Sequence, residues 1–97
     1  KDLSAFGFEV VTVSSTSIGF TAGTITPTGQ APASQAVVEC ETQPIRMKID
    51  GGTPTALVGM LILATDVVIL NGADVIKKAR FFKDGATDAP ISCHFLR

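Results

Sequence analysis

An all-β fold, a small antiparallel β-sandwich or barrel with at most one short helical turn, is what this sequence predicts, and three observations predict it. The hydrophobic pattern repeats every second residue over most of the chain, not at the helical period of about 3.6. Turn formers recur at short intervals: Ser14-Ser15-Thr16-Ser17, Thr26-Pro27-Thr28-Gly29, Gln43-Pro44, Asp50-Gly51-Gly52, Asn71-Gly72 and Asp84-Gly85. No segment carries a sustained amphipathic helical stripe. The 97 residues suit one domain, because a chain of this size hides roughly 65% of the surface its unfolded form exposes. Residues 1–34 are expected to form its strand-and-loop region and 35–97 its regular core.

The elements follow in chain order. Phe8, Val10 and Thr12 alternate with Glu9, Val11 and Val13, the mark of a strand with one face on a core. From Ser14 to Ser34 the chain is rich in Thr, Ser, Gly and Pro, with Ile18, Phe20 and Ile25 as isolated anchors. It reads as a short strand pair or an ordered loop over a sheet, the segment most apt to order against a neighbour. Ala36, Val38 and Cys40 alternate with Val37, Glu39 and Glu41, and Ile45, Met47 and Ile49 with Arg46, Lys48 and Asp50. A fold-back at Gln43-Pro44 would set Glu41 opposite Arg46 and Glu39 opposite Lys48, with Cys40 on Met47 and Val38 on Ile49. Such cross-strand pairs contribute a few tenths to about 1 kcal/mol each, so a hairpin is expected here. Asp66 to Leu70 is rich in β-branched residues, and Asn71-Gly72 after it is a hairpin-turn dipeptide. Ala73 to Lys78 lacks strict alternation and has room for one helical turn before Ala79 to Lys83 resumes as a strand. Ile91, Cys93 and Phe95 alternate with Ser92, His94 and Leu96 in a last strand.

Composition narrows the function classes. Apolar residues are 45% and charged residues 18%, which is globular composition. Net charge is −1, so no bulk field draws the chain to nucleic acid or an acidic membrane. The apolar run Leu57 to Ala64 is broken by Gly59 and followed by Asp66, far short of the ~20 residues of a membrane helix. A soluble protein is expected. Lys1 is not an initiator Met, which reads as a processed or trimmed chain, and no signal-peptide order follows it. Absence of Trp and Tyr weakens a carbohydrate-binding reading, which leans on those rings.

Residues able to do chemistry are few and scattered. His94 is the only histidine, and as a strand neighbour of Cys93 it points to the opposite face, so the two are no catalytic dyad. Two Cys and one His without C-x-x-C or H-x-x-H spacing give no zinc set, and the aspartates never form a calcium loop. The alternating pattern places Cys40 and Cys93 as reduced, buried thiols, with a single disulfide as the alternative. Asp50-Gly51-Gly52 followed by Thr53-Pro54 is read as a structural turn, since a phosphate cradle needs a helix after its glycines and Pro54 drives Thr53 to extended backbone. The basic, aromatic stretch Lys77 to Lys83 is read as core plus subunit contact, with no nucleic acid expected. Arg80, Phe82, Phe20 and Ile25 are the interface candidates. No catalytic, cofactor-binding or metal-binding residue is assigned.

Glu41, Ile45 and Arg46 form an E-x-x-x-I-R core. Asp50, Gly51, Pro54 and Thr55 follow as D-G-x-x-P-T, then Gly59, Asp66 and Gly72, and finally Gly85-Ala86-Thr87-Asp88-Ala89. This order over about the last 60 residues resembles a class of small phage and prophage virion proteins. Thr65-Asp66 stands where the pattern has Gly-Asp, and Lys77-Lys78 is more basic than the pattern. What the resemblance implies is a non-enzymatic structural role: a capsid decoration or cement protein, or a head-fibre base. It would be a symmetric homo-oligomer touching the major capsid protein or other virion proteins, in a virion assembled in the host cytoplasm. A tail or connector component, or a host-surface adhesion module binding glycan or protein, is the alternative.

Overall fold

The structure is a computed structural model, and it describes residues 3–97. Among the described residues, seven strands form two antiparallel sheets. The first sheet runs β1 (Ala5–Val13), β7 (Ala89–Leu96), β2 (Gln35–Cys40), β5 (Val67–Asn71), in that spatial order. The second runs β4 (Met60–Ile62), β3 (Ile45–Lys48), β6 (Arg80–Lys83). Two short helices, α1 (Ala22–Ile25) and α2 (Ala73–Lys78), join them, where the sequence left room for one turn. The result is a small all-β sandwich.

One hydrophobic core lies between the sheets, built by alternation. Val11 and Val13 of β1, Val38 and Cys40 of β2, and Ile91, Cys93 and Phe95 of β7 point inward from the first sheet; Ile45, Met47, Ile62 and Phe81 meet them from the second. Phe20, in the connection after β1, stands edge-on to both layers. Its ring centroid lies 5.2 Å from Phe81 and 5.1 Å from Phe95, at steep interplanar angles of 65° and 80°. That edge-to-face geometry adds about 0.5–1.5 kcal/mol per pair beyond the area buried.

The connection from Ser14 to Ser34 packs on its own sheets. Ile18 and Phe81 exchange backbone hydrogen bonds of 3.1 and 2.8 Å, extending the β6 edge by one bridge. The Glu9 carboxylate accepts from the Thr21 amide at 3.0 Å and its hydroxyl at 2.6 Å. Ile25 is buried in the core. Helix α2 carries Asp74 in its first turn and Lys77 and Lys78 in its last, which complements the helix dipole, and Lys78 reaches Asp74 at 3.0 Å.

The expected hairpin between β2 and β3 does not form. The two strands lie in different sheets, because the link through Gln43-Pro44 is a sandwich corner. β2 pairs with β7 and β5, so Glu39 stands between Ser92 and Val67. Lys48, its expected partner, lies 3.7 Å from Asp50. Glu41 accepts a hydrogen bond from the Ser92 hydroxyl, and its expected partner Arg46 binds Asp84 at 2.8 Å. Inward parity holds for Val38, Cys40 and Met47, since alternation does not depend on which strand lies alongside; Ile49 is exposed. Asn71-Gly72 also makes no hairpin: Gly72, at φ 103°, starts α2.

At the Asp50 turn, the Asp50 carboxylate accepts the Gly52 amide at 2.9 Å, Gly51 has φ 86°, and Pro54 is buried with no helix after it. The turn between β4 and β5 is strained. Thr65, a β-branched residue, sits at φ 72°, where its amide donates to the Cys40 carbonyl at 2.7 Å. It occupies the position where the resemblance has glycine.

Two outcomes follow from this packing. Phe20→Ala removes the ring that touches both layers and lowers unfolding stability by about 3 kcal/mol in urea titration. Thr65→Gly relieves the left-handed backbone, which costs about 1–2 kcal/mol, while loosening the unfolded chain by less. A net gain of up to ~1 kcal/mol in the same titration is expected.

Candidate interaction surface

The groups able to catalyse are kept apart. Val38 is opposite Cys93 and Cys40 opposite Ile91, so the two thiols are diagonal neighbours on the inner face, roughly 7–8 Å apart and beyond disulfide geometry. Both are free and buried. Burial, then the nearby Glu9 carboxylate, pushes the Cys93 thiol up to about 12. Burial first, then Asp66 and Glu41, raises that of Cys40, whose sulfur donates to the Gln43 carbonyl at 2.9 Å. A thiol held protonated is a poor nucleophile. His94 lies on the outer face against Phe8, ring centroids 4.8 Å apart. Among the described residues no group of three His, Cys, Asp or Glu side chains could hold a metal ion. No helix among them is long and apolar enough to cross a membrane.

A groove of about 580 Å³ lies between α1 and α2, lined by Ile25, Ala33 and Ile76 with exposed Asp74 and Lys77. No buried side-chain polar atom is left without a partner among the described residues, so none is aimed into the groove for a ligand.

The distinctive surface is the outer face of the four-stranded sheet. Register places Phe8, His94, Val37 and Ile69 in one row across all four strands. Val10, Ser92, Glu39 and Val67 make the next. Phe8, Val10, Val67 and Ile69 are each more than half exposed. An antiparallel sheet with one wet face normally turns polar side chains outward; this one sets Phe8, Val10, Val37, Val67 and Ile69 there among Ser92, Glu39 and His94. Its charged groups are acidic, Glu39 and Glu41, with His94 beside them.

The outer face of the three-stranded sheet is smaller and of opposite sign. Leu61, Arg46 and Phe82 form one row, and Lys48 and Arg80 the next. Arg46 is held by Asp84 and by the Gly59 carbonyl at 3.2 Å. Arg80 donates to the carbonyls of Lys77 at 3.0 Å and Ala79 at 2.8 Å. Among the described residues it has no carboxylate partner, and neither does Glu39 have a cationic one. Beside this face the turn into β4 leaves Leu57 88% exposed, with Val58, Met60 and Leu63 also in water.

Of the interface candidates, Arg80 and Phe82 lie together on this outer face. Ile25 and Phe20 face inward: Ile25 belongs to the core and Phe20 is engaged by Phe81 and Phe95, so the chain itself uses the surface proposed for a partner. Sequence reasoning missed Phe8, Val10, Val67, Ile69 and the Leu57–Leu63 apolar run as surface. The signal was present in Val67-Val68-Ile69-Leu70, apolar at both parities, as a strand covered on both faces would be. Compared with family models, curated proteins and solved structures, the chain matches none.

Cys93 gives a pH signature. Its raised thiol favours the folded chain with the proton on, so that stabilisation is whole below the ordinary value near 9 and is lost as pH climbs toward about 12. The full loss is on the order of 4 kcal/mol. With no tyrosine in the chain to titrate over the same range, denaturant midpoints of the unsubstituted protein fall between pH 9 and 11 more steeply than those of Cys93→Ala.

Proposed function

We propose that this chain is a non-enzymatic structural protein of a bacteriophage virion, a capsid decoration or cement protein or a head-fibre base. It works through protein–protein contacts repeated by symmetry, with further copies and the major capsid protein as partners. The observation that carries this reading is the outer face of the β1-β7-β2-β5 sheet, which leaves Phe8, Val10, Val67 and Ile69 in water on the isolated chain. Apolar surface of this kind marks a contact face.

The setting comes from the resemblance of residues 41–89 to small virion proteins. The chemistry agrees with it: protonated, buried thiols and a histidine packed at a tilt against Phe8 are groups that fill space. A small sandwich has a modest core and gains stability from burial against neighbours. A tail or connector component would use the same surfaces and differs in copy number.

The test is quantitative mass spectrometry of purified particles. Copy number near that of the major capsid protein is the expected result. A handful of copies moves the chain to tail or connector, and its absence from particles overturns the virion assignment.

A further inference from the structure

The two outer faces of the sandwich differ in charge, and that difference selects what covers them. On the four-stranded face the ionisable groups are Glu39, Glu41 and His94; on the three-stranded face they are Arg46, Lys48 and Arg80. Arg46 is neutralised by Asp84, and Lys48 lies 3.7 Å from Asp50. On these two faces Glu39 and Glu41 have no cationic partner and Arg80 has no carboxylate partner among the described residues, Glu41 being held by the Ser92 hydroxyl. Glu39 and Arg80 sit beside apolar side chains: Glu39 next to Val67, and Arg80 on the strand that turns Phe82 outward.

We infer that a second copy of this chain covers the four-stranded face, seating its own three-stranded face there so that Arg80 and Lys48 of one copy meet Glu39 of the next. The inference rests on the reading of the chain as an assembling structural protein and names the surface it assembles by. Two four-stranded faces brought together would gather both copies' Glu39 and Glu41 carboxylates into one contact with only the two His94 rings to offset them. Like charges in a contact oppose it, and opposite ones set its partner and orientation. The contact is therefore heterologous: each copy offers one face and receives another, and repetition gives a ring if the rotation closes and a filament if it does not.

Size sets the strength. Three strands span about 14 Å at roughly 4.8 Å per strand, and the four residues of β3 and β6 about 13 Å along them, an area on the order of 200 Å² and well short of the ~800 Å² per partner of a standard stable interface. One contact is weak, and closure or attachment to a particle adds to it by raising the effective concentration.

Sedimentation velocity from 10 µM to about 1 mM protein, a range suited to a weak contact, tests this. The expected result is a mass that rises with concentration, past the dimer. Glu39→Arg alone weakens association about tenfold, and the double variant Glu39→Arg with Arg80→Glu recovers most of it. Mixing decides the geometry. Val67→Glu spoils one face and Lys48→Glu the other; each alone stays monomeric, and the mixture gives a one-to-one dimer and nothing larger. Circular dichroism confirms that the variants fold, and Ile69→Asp serves in place of Val67→Glu if that variant does not. A monomer at every concentration overturns the inference. So does self-association of the Lys48→Glu variant alone, which would mean like faces pair. Association lost on Leu57→Ser but unmoved by either face variant also overturns it, while leaving particle copy number to judge the structural reading separately.

Discussion

The contact of Phe20 with Phe81 on one sheet and Phe95 on the other is the constraint on which the rest of the molecule depends. It holds the irregular connection after β1 between the layers, and the Ile18–Phe81 bridge fixes where that connection enters. The residue between those two anchors has no freedom of its own: a Cβ on Gly19 would lie 2.6 Å from the Arg80 guanidinium and 2.9 Å from the Ala79 carbonyl. The absence of a side chain there lets Arg80 fold back onto the end of α2 beside the outer face of the second sheet. An aromatic contact in the core thus sets the position of a charge on the surface.

Much of this was legible in the sequence, and the part that was not has a physical cause. Period-two alternation located four of the strands and the inward residues Val38, Cys40, Met47, Ile91, Cys93 and Phe95, because alternation is a property of one strand alone, while β-branched content marked β5 and the end of the helical turn marked β6. Pairing is a property of two. Glu39 and Glu41 match Lys48 and Arg46 in sign and spacing as well as any hairpin, yet the chain turns a corner at Gln43-Pro44 and carries β3 into the other layer. Local charge matching contributes less than 1 kcal/mol per pair, too little to decide against burying Ile45 and Met47 on the facing sheet. β4 escaped notice since three residues are too few to show a period.

The surface was harder to read than the core for a related reason. Alternation says which side chains share a face but not which face is wet. In β1 the inward set is Val11 and Val13 and the outward set holds Phe8 and Val10, so both sets are apolar. Only assembly of four strands in register reveals that these outward residues line up with Val37, Val67 and Ile69 into one surface. Phe20 and Ile25, isolated in a polar stretch, looked available for the same reason, and the chain takes them for its own core.

The sheet margins have a consequence for strand addition. Of the four margins, β4 is three residues long, β6 is four residues long and already bridged by Ile18, β1 is interrupted by a register shift between Ala5 and Gly7, and β5 is regular but five residues long. Brevity and irregularity at the margins deny incoming strands a straight backbone to template on. Strand addition, the route to cross-β fibres that consumes the fold, is thereby left one short regular margin, β5.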